Sequence, residues 1–338
     1  MIRGFGAVDV LKRCLLLALA ALHLTVLFAG FFGPYGYQIQ HRDFAYAPPT
    51  AVHWIDTRGH LHLRPFVYQV VGRGGFAEYA EDRSAIFPVC FFCRNAEDGS
   101  LHFFEVRQPA RLFLVGTDGV GRDIFSRLLV GGRISLSSGL VGALVAVSLG
   151  TALGAIAGYF GKWLDEGLMA LAEIFLSVPW LYLLLIVRAL LPVHIESSSV
   201  FLLLVTVLGL VGWARPARLV RGVVLSLKHR VYVTAARGFG ASNLYLLRRH
   251  VLPGTGSIVI TQIAWYVPQF VLAEVTLSFF GLGVSEPTPS WGNMLSALDR
   301  AYVLESCWWM FAPILAVILV FVGFRYILSR YPGATPEL

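Results

Sequence analysis

The chain has 338 residues, 57% of them hydrophobic and 14% charged, whereas a soluble domain carries roughly 25% charged residues. This balance excludes an ordinary soluble globular fold and fits a chain whose solvent is largely lipid. The formal net charge of +7 does not point to nucleic acid, because the basic residues cluster between apolar runs, where they act as orientation signals.

Residues 1–13 carry Arg3, Lys12 and Arg13. The following apolar run, 14–32, lacks a small-residue cleavage site and reads as a retained signal anchor. A span needs about 20 mostly apolar residues, and five further segments qualify: 134–160, 168–191, 197–214, 255–281 and 307–328. The run 134–160 holds Gly139, Gly142, Gly150, Gly154 and Gly158, small residues that let helix backbones approach closely in a bilayer. Pro179 and Pro268 are each expected to kink their span.

Between the first two spans, 33–133 holds eleven arginines and ten acids. A turn signal at Asp56-Thr57-Arg58-Gly59 and a second hairpin signal from Phe87 to Val106 around Asp98-Gly99 predict a small β-rich subdomain. Residues 121–133 read as an amphipathic helix lying at the membrane interface. Cys14 and Cys307 read as small hydrophobes. Cys90 and Cys93 form one CFFC pair with no second pair to complete a zinc site. Three readings stay open for the pair: a disulfide, half a metal site with His53, His60, His62 and His102, or two plain thiols. No metal site is expected.

Basic residues orient the chain. The segment 215–254 holds Arg215, Arg218, Arg221, Lys228, Arg230, Arg237, Arg248 and Arg249 and no acid, whereas 192–196 and 282–306 hold three glutamates, one aspartate and one arginine. The first set is expected in the cytoplasm together with both termini. Trp308-Trp309 reads as an interfacial anchor, Arg188 as a snorkelling side chain and His23 as a satisfied polar group. Glu173 and Glu274 fall inside spans 3 and 5. A carboxyl at membrane depth is costly, so both are pathway candidates, weighed against a structural, hydrogen-bonded carboxyl.

Within the cytoplasmic segment, 231–254 reads as a short helix, a break at Gly240, and a second helix capped near Ser242 and stopped by Pro253-Gly254. Leu244, Leu247 and Val251 give it an apolar stripe suited to docking in a groove on another protein. Thr234-Ala235-Ala236, Gly240, His250 and Leu252-Pro253 stand in a spacing that resembles the cytoplasmic signature of binding-protein-dependent ABC importer permeases. That signature runs Glu-Ala-Ala, three residues, Gly, nine residues, Ile, any residue, Leu, Pro. Thr234 departs from the usual Glu, and His250 from the usual Ile, as in the dipeptide, oligopeptide and nickel branch. The stretches 116–136 and 277–295 resemble blocks of the same branch, so the likeness covers about 112–330.

The apolar segments and the resemblance together give an all-α polytopic fold of about six transmembrane helices in a bacterial inner membrane; the β-rich extracytoplasmic insertion is read from the hairpin signals and lies largely outside the resemblance. The parts of the chain are 1–32 (N-terminus and first span), 33–111 (the insertion), 112–330 (a permease core with the coupling loop 215–254) and 331–338 (a cytoplasmic tail). The resemblance implies four kinds of partner besides lipid: a second, similar permease, two cytoplasmic ATPase subunits and an extracytoplasmic substrate-binding protein. ATP and Mg would be bound by the ATPases, since no P-loop pattern occurs here. The chain would then be no enzyme but a permease for peptides or similar polar solutes. Thr234, Ala235, Ala236, Gly240, His250, Leu252 and Pro253 would form the ATPase contact. The alternative reading is a self-sufficient secondary transporter or channel, with paired broken helices around a midplane site.

Overall fold

A computed structural model describes residues 7–94, 99, 101–179, 182–183, 185–186 and 197–329, with the backbone alone at 7–12, 197, 198 and 329. Arg3, Asp98, Arg188, the connection 192–196, Arg330 and the tail 331–338 lie outside the described residues. Four helical runs are long and apolar enough to cross a membrane: Ile124–Phe160, Ser199–Leu227, Asn243–Phe279 and Trp308–Leu328, and Arg13–Leu27 is a shorter apolar helix. The predicted third span shows helix over Lys162–Ser177, and most of its remainder lies outside the described residues. The chain divides into two units, Met1–Ser135 with Ser278–Leu319, and Leu136–Leu277 with Val320–Leu338.

In the first unit, α1 (Ala7–Leu27) gives way to a short α2 (Ala29–Phe32). Arg133 donates from Nε to the Val26 carbonyl (2.9 Å) and from Nη2 to the Leu27 carbonyl (2.8 Å). Open carbonyls at a helix C-terminus attract such a cation. Next comes a four-stranded antiparallel sheet in sequential order, β1 (His53–Ile55), β2 (Leu61–Gly72), β3 (Tyr79–Arg94) and β4 (Leu101–Val106). Between β1 and β2, the Asp56 carboxylate accepts from the backbone of Arg58 (2.8 Å) and His60 (2.9 Å), while Gly59 takes the left-handed backbone the turn requires. Val67, Val89, Phe104 and Val106 bury one side of the sheet against Ala110 and Leu112. Cys90 and Cys93 are joined by a disulfide.

The loop 116–123 leads into α3 (Ile124–Phe160), a single helix of 37 residues, about 55 Å long at 1.5 Å per residue. The expected interfacial helix over 121–133 is therefore a loop end plus the first turns of this helix. Its polar side chains are not spread on a surface, since Arg127 is 2% exposed. Asp123 caps the helix by accepting from the Ser126 backbone at 2.8 Å. Burial pushes the Asp123 carboxyl up to about 6, against the lowering effect of its Ser126 hydrogen bonds.

The second unit holds the rest of α3, α4 (Lys162–Ser177), α5 (Ser197–Gly212), α6 (Ala214–Leu227), α7 (Val231–Gly238), α8 (Asn243–Leu246), α9 (Gly256–Phe279) and the end of the last helix. Its seam is made by glycines four residues apart. A Cβ on Gly150 would lie 2.6 Å from the Trp213 carbonyl oxygen, and one on Gly158 would lie 2.9 Å from that of Arg221, with Gly154 facing Ala217 between them. Because i, i+4 and i+8 share one helix face, the three bare Cα positions let the backbone of α6 lie directly on α3. Ala172, Trp213, Ala214 and Ala217 form the adjoining core. Asp165 pairs with Arg221, Nη2 to Oδ2 at 2.6 Å, and ties α4 to α6.

Candidate functional site

The platform of the site is α6. Its Val220 and Val224, with Ala155 and Tyr159 of α3, form a core that closes over Val233 of α7 and over Leu246, Leu247 and Val251. Burying one such side chain contributes roughly 1.5–3 kcal/mol, so these four residues hold the helix–turn–helix element firmly on its inner side. Lys228 Nζ donates to the Gly158 carbonyl at 2.8 Å, which places a cation on the end of α3.

The turn between α7 and α8 has a complete set of backbone bonds. The amide of Gly240 donates to the Arg237 carbonyl (3.0 Å) and that of Ala241 to the Ala236 carbonyl (3.1 Å), the paired pattern of a Schellman stop. This stop needs a left-handed residue, and Gly240 has φ 85°. Ser242 Oγ then caps α8, accepting from the Tyr245 backbone at 3.4 Å. The Tyr159 hydroxyl spans the turn: it accepts from Arg237 Nη2 (3.3 Å) and donates to Asn243 Oδ1 (3.2 Å). The His250 ring lies near those of Tyr232 (6.2 Å) and Tyr245 (5.6 Å), which joins the two arms of the element a second time.

Pro253 does not stop the second arm. Residues 247–251 form a π turn, 252–255 a 3-10 turn, and α-helix resumes at Gly256. A proline clashes with the carbonyl four residues back and offers no N–H. A widened turn followed by a tightened one accommodates it while the helical run continues from Asn243 to Phe279. The apolar stripe departs from the expectation at one residue: Leu247 and Val251 are buried, together with Leu246, whereas Leu244 is exposed.

The outer side of the element is apolar and cationic. Phe239, next to Gly240, is 94% exposed and Val231 is 85% exposed, and Tyr232, Leu244 and Tyr245 are exposed as well. Arg237, Arg248 and Arg249 stand among them, exposed. Thr234 and Ala235 are exposed, Ala236, His250 and Leu252 partly buried, and Pro253 exposed. A Cβ on Gly240 would meet nothing within 4 Å. The sequence-predicted contact residues thus lie in one element, and Tyr159 and Asn243 join them as positioning residues with no motif of their own.

The two carboxyl candidates differ. Glu274 of α9 is fully buried. Glu173 of α4 is exposed and pairs with Arg218 of α6 at 3.2 Å. Among the described residues, no group of three His, Cys, Asp or Glu side chains is placed to hold a metal.

In the first unit the other two sequence blocks meet. Arg127 Nη2 and Arg122 Nη1 each lie 2.6 Å from a Glu286 carboxylate oxygen, and Asp118 Oδ2 accepts from Arg122 Nε at 2.7 Å. Burial lowers the Arg122 pKa, but Asp118 and Glu286 outweigh it and leave the group raised. Trp291 is fully buried, with Nε1 on the Leu128 carbonyl at 2.9 Å.

This arrangement has known relatives. The family model of binding-protein-dependent transport system inner membrane components matches residues 150–331, more than half of the chain. A putative peptide permease protein of Brucella suis is 38% identical over 214 residues, covering 62% of this chain and 69% of that protein. The oligopeptide transport system permease protein OppC of Haemophilus influenzae is 37% identical over 213 residues (63% and 66%). The glutathione transport system permease protein GsiD of Pectobacterium atrosepticum is 34% identical over 217 residues (64% and 70%). The membrane-length helices and this match together place the chain in the family of binding-protein-dependent transport system inner membrane components, as a multi-pass permease subunit of an ABC importer.

Proposed function

We propose that the chain carries peptides or similar small polar solutes across a bacterial inner membrane, and that the element 231–253 couples it to ATP hydrolysis in partner subunits. One observation carries the coupling role. The element is fixed on its inner side by a buried core, and it presents Phe239 and Val231 outward beside open space at Gly240. Exposed apolar side chains rimmed by arginine suit a protein groove. The substrate class rests on the peptide and glutathione permeases the chain resembles.

In this reading six spans place both termini in the cytoplasm, with 33–111 as a β-rich extracytoplasmic insertion, 112–330 as the permease core and 331–338 as the tail. A second permease, two ATPases holding ATP and Mg, and a substrate-binding protein complete the assembly. Closure of the ATPases moves the element as a rigid body, and the spans pass between inward-open and outward-open states. Glu274 is the pathway candidate at membrane depth. The ion pair of Glu173 with Arg218 favours a tie between α4 and α6 for that residue.

The test is Gly240→Asp. Asp tolerates the left-handed backbone better than most residues, and its Cβ enters open space, so the fold should survive while a charge enters the docking face. The tagged chain extracted in mild detergent should bring down ATPase subunits and ATP hydrolysis, and the variant should lose both. Normal peptide uptake by the variant would refute the coupling role.

A further inference from the structure

The sheet has an apolar end that the transport reading leaves unused. Towards the last described pair of the β3–β4 hairpin, Arg94 with Leu101, Phe91, Phe92 and Leu101 are exposed, Phe92 by 62%. This part of the hairpin is joined to the end of the first helix. The Phe31 ring lies 6.1 Å from that of Phe92 and 5.8 Å from that of Phe103, and Phe32 lies 5.5 Å from Phe103. His102, 5% exposed, places Nδ1 2.6 Å from the Gly33 carbonyl oxygen.

The apolar run from Cys14 to Phe32 follows Lys12 and Arg13; it is helical to Leu27 and again over Ala29–Phe32. In the six-span reading Phe31 and Phe32 close its far end, and the Phe92 ring lies beside that of Phe31. Leu24, Leu27 and Phe28 are exposed just below, so the apolar surface of α1 runs on into this part of the hairpin. The guanidinium of Arg133 holds the Val26 and Leu27 carbonyls where α1 ends.

The disulfide belongs to this arrangement. In a regular strand, residues three apart point to opposite faces, yet Cys90 and Cys93 are bonded. Phe92, between them, has φ 55°, an uncommon conformation for a bulky residue. It breaks the alternation, and the four-residue ring holds two adjacent phenylalanines at this end of the sheet.

We propose that Phe91 and Phe92 of β3 form a membrane anchor that enters the lipid interface, held in place by the Cys90–Cys93 disulfide. The proposal rests on α1 crossing the bilayer, and its occupant is lipid rather than a protein partner because the surface continues that of a lipid-facing helix.

The test places a benzophenone amino acid at one position at a time in the assembled transporter in phospholipid nanodiscs, with adducts identified by mass spectrometry. Position 92 should yield phospholipid adducts. Position 76, an exposed phenylalanine beyond the other end of β3, should not. Position 17 on α1, 70% exposed, reports separately whether that helix meets lipid. Lipid adducts at 17 with only partner-polypeptide adducts, or none, at 92 overturn the anchor and leave the transport reading standing. The double variant Cys90→Ser, Cys93→Ser should cut the lipid yield at 92 several-fold, and an unchanged yield would remove the disulfide from the mechanism.

Discussion

The glycine seam between α3 and α6 makes a prediction whose sign depends on position alone. In Gly150→Ala the new methyl would lie 2.6 Å from the Trp213 carbonyl oxygen, 2.7 Å from Pro216 Cβ and 3.0 Å from the Ala217 amide nitrogen. None of these is the end of a flexible side chain. The closest approach is 0.8 Å short of the 3.4 Å at which ordinary contact begins, so the seam must open or shear along its length. Overpacking of this kind costs about 1–3 kcal/mol, and better helix propensity returns only about 1 kcal/mol. In Gly222→Ala, on α6 itself, the methyl meets nothing within 4 Å, and only the propensity gain remains. The two variants should therefore differ by roughly 1–3 kcal/mol, the first less stable than the second. At about 2–4 °C per kcal/mol, their melting midpoints in detergent should separate by several degrees. Since α6 also carries Val220 and Val224 beneath the proposed coupling element, Gly150→Ala should weaken transport-linked ATP hydrolysis as well. Equal midpoints, or a more stable Gly150→Ala, would show that the helices do not meet as closely as this geometry states.

Two further outcomes follow from single side chains. Tyr159→Phe removes the hydroxyl between Arg237 and Asn243, at about 0.5–1.5 kcal/mol per hydrogen bond. Subunits should still co-purify, while peptide-stimulated ATP hydrolysis falls, and unchanged stimulation would show that the turn needs no strut. Asp123 has a folded-state pKa of about 6, above the ~3.9 of an unfolded Asp, so the folded chain binds the extra proton. Its contribution to stability is greatest below about pH 4 and is lost as pH rises towards 6, by about 2–3 kcal/mol in all. Asp123→Asn keeps a cap of equal rank and should flatten this part of a pH–melting curve; an unaltered curve would rule out Asp123 as its source.

What was legible in the sequence was local. The spacing of Gly150, Gly154 and Gly158 announces a close helix contact, and Gly240 followed by Ser242 announces a stop and a new cap, because each signal is set by a few neighbouring residues. What was not legible depends on partners distant in the chain. Pro253 reads locally as a stop, yet the run continues past it through a π turn and a 3-10 turn, while Leu246, Leu247 and Val251 lie in the core over α6. Leu244 looks like part of the same stripe and is left outside it. The run 121–133 looks amphipathic because Arg122 and Arg127 are charged, but their partner Glu286 lies over 150 residues away. Cys90 and Cys93 were compatible with three states until Phe92 showed the backbone that brings them together.

The same distinction bears on how the permease works. The element proposed to couple it has a short-range sequence signature, but its attachment is long-range. Tyr159 ties it to the end of α3, Lys228 ties the end of α6 there, and α3 is held to α6 by glycines further along. In the proposed coupling, a push on Phe239 would reach the spans through backbone contact as well as through side chains. Close-packed interiors transmit displacement, and a seam without side chains has little slack to absorb it. For that reason a single methyl at Gly150, outside the proposed docking surface, should disturb coupling, whereas one at Gly222 should leave it intact.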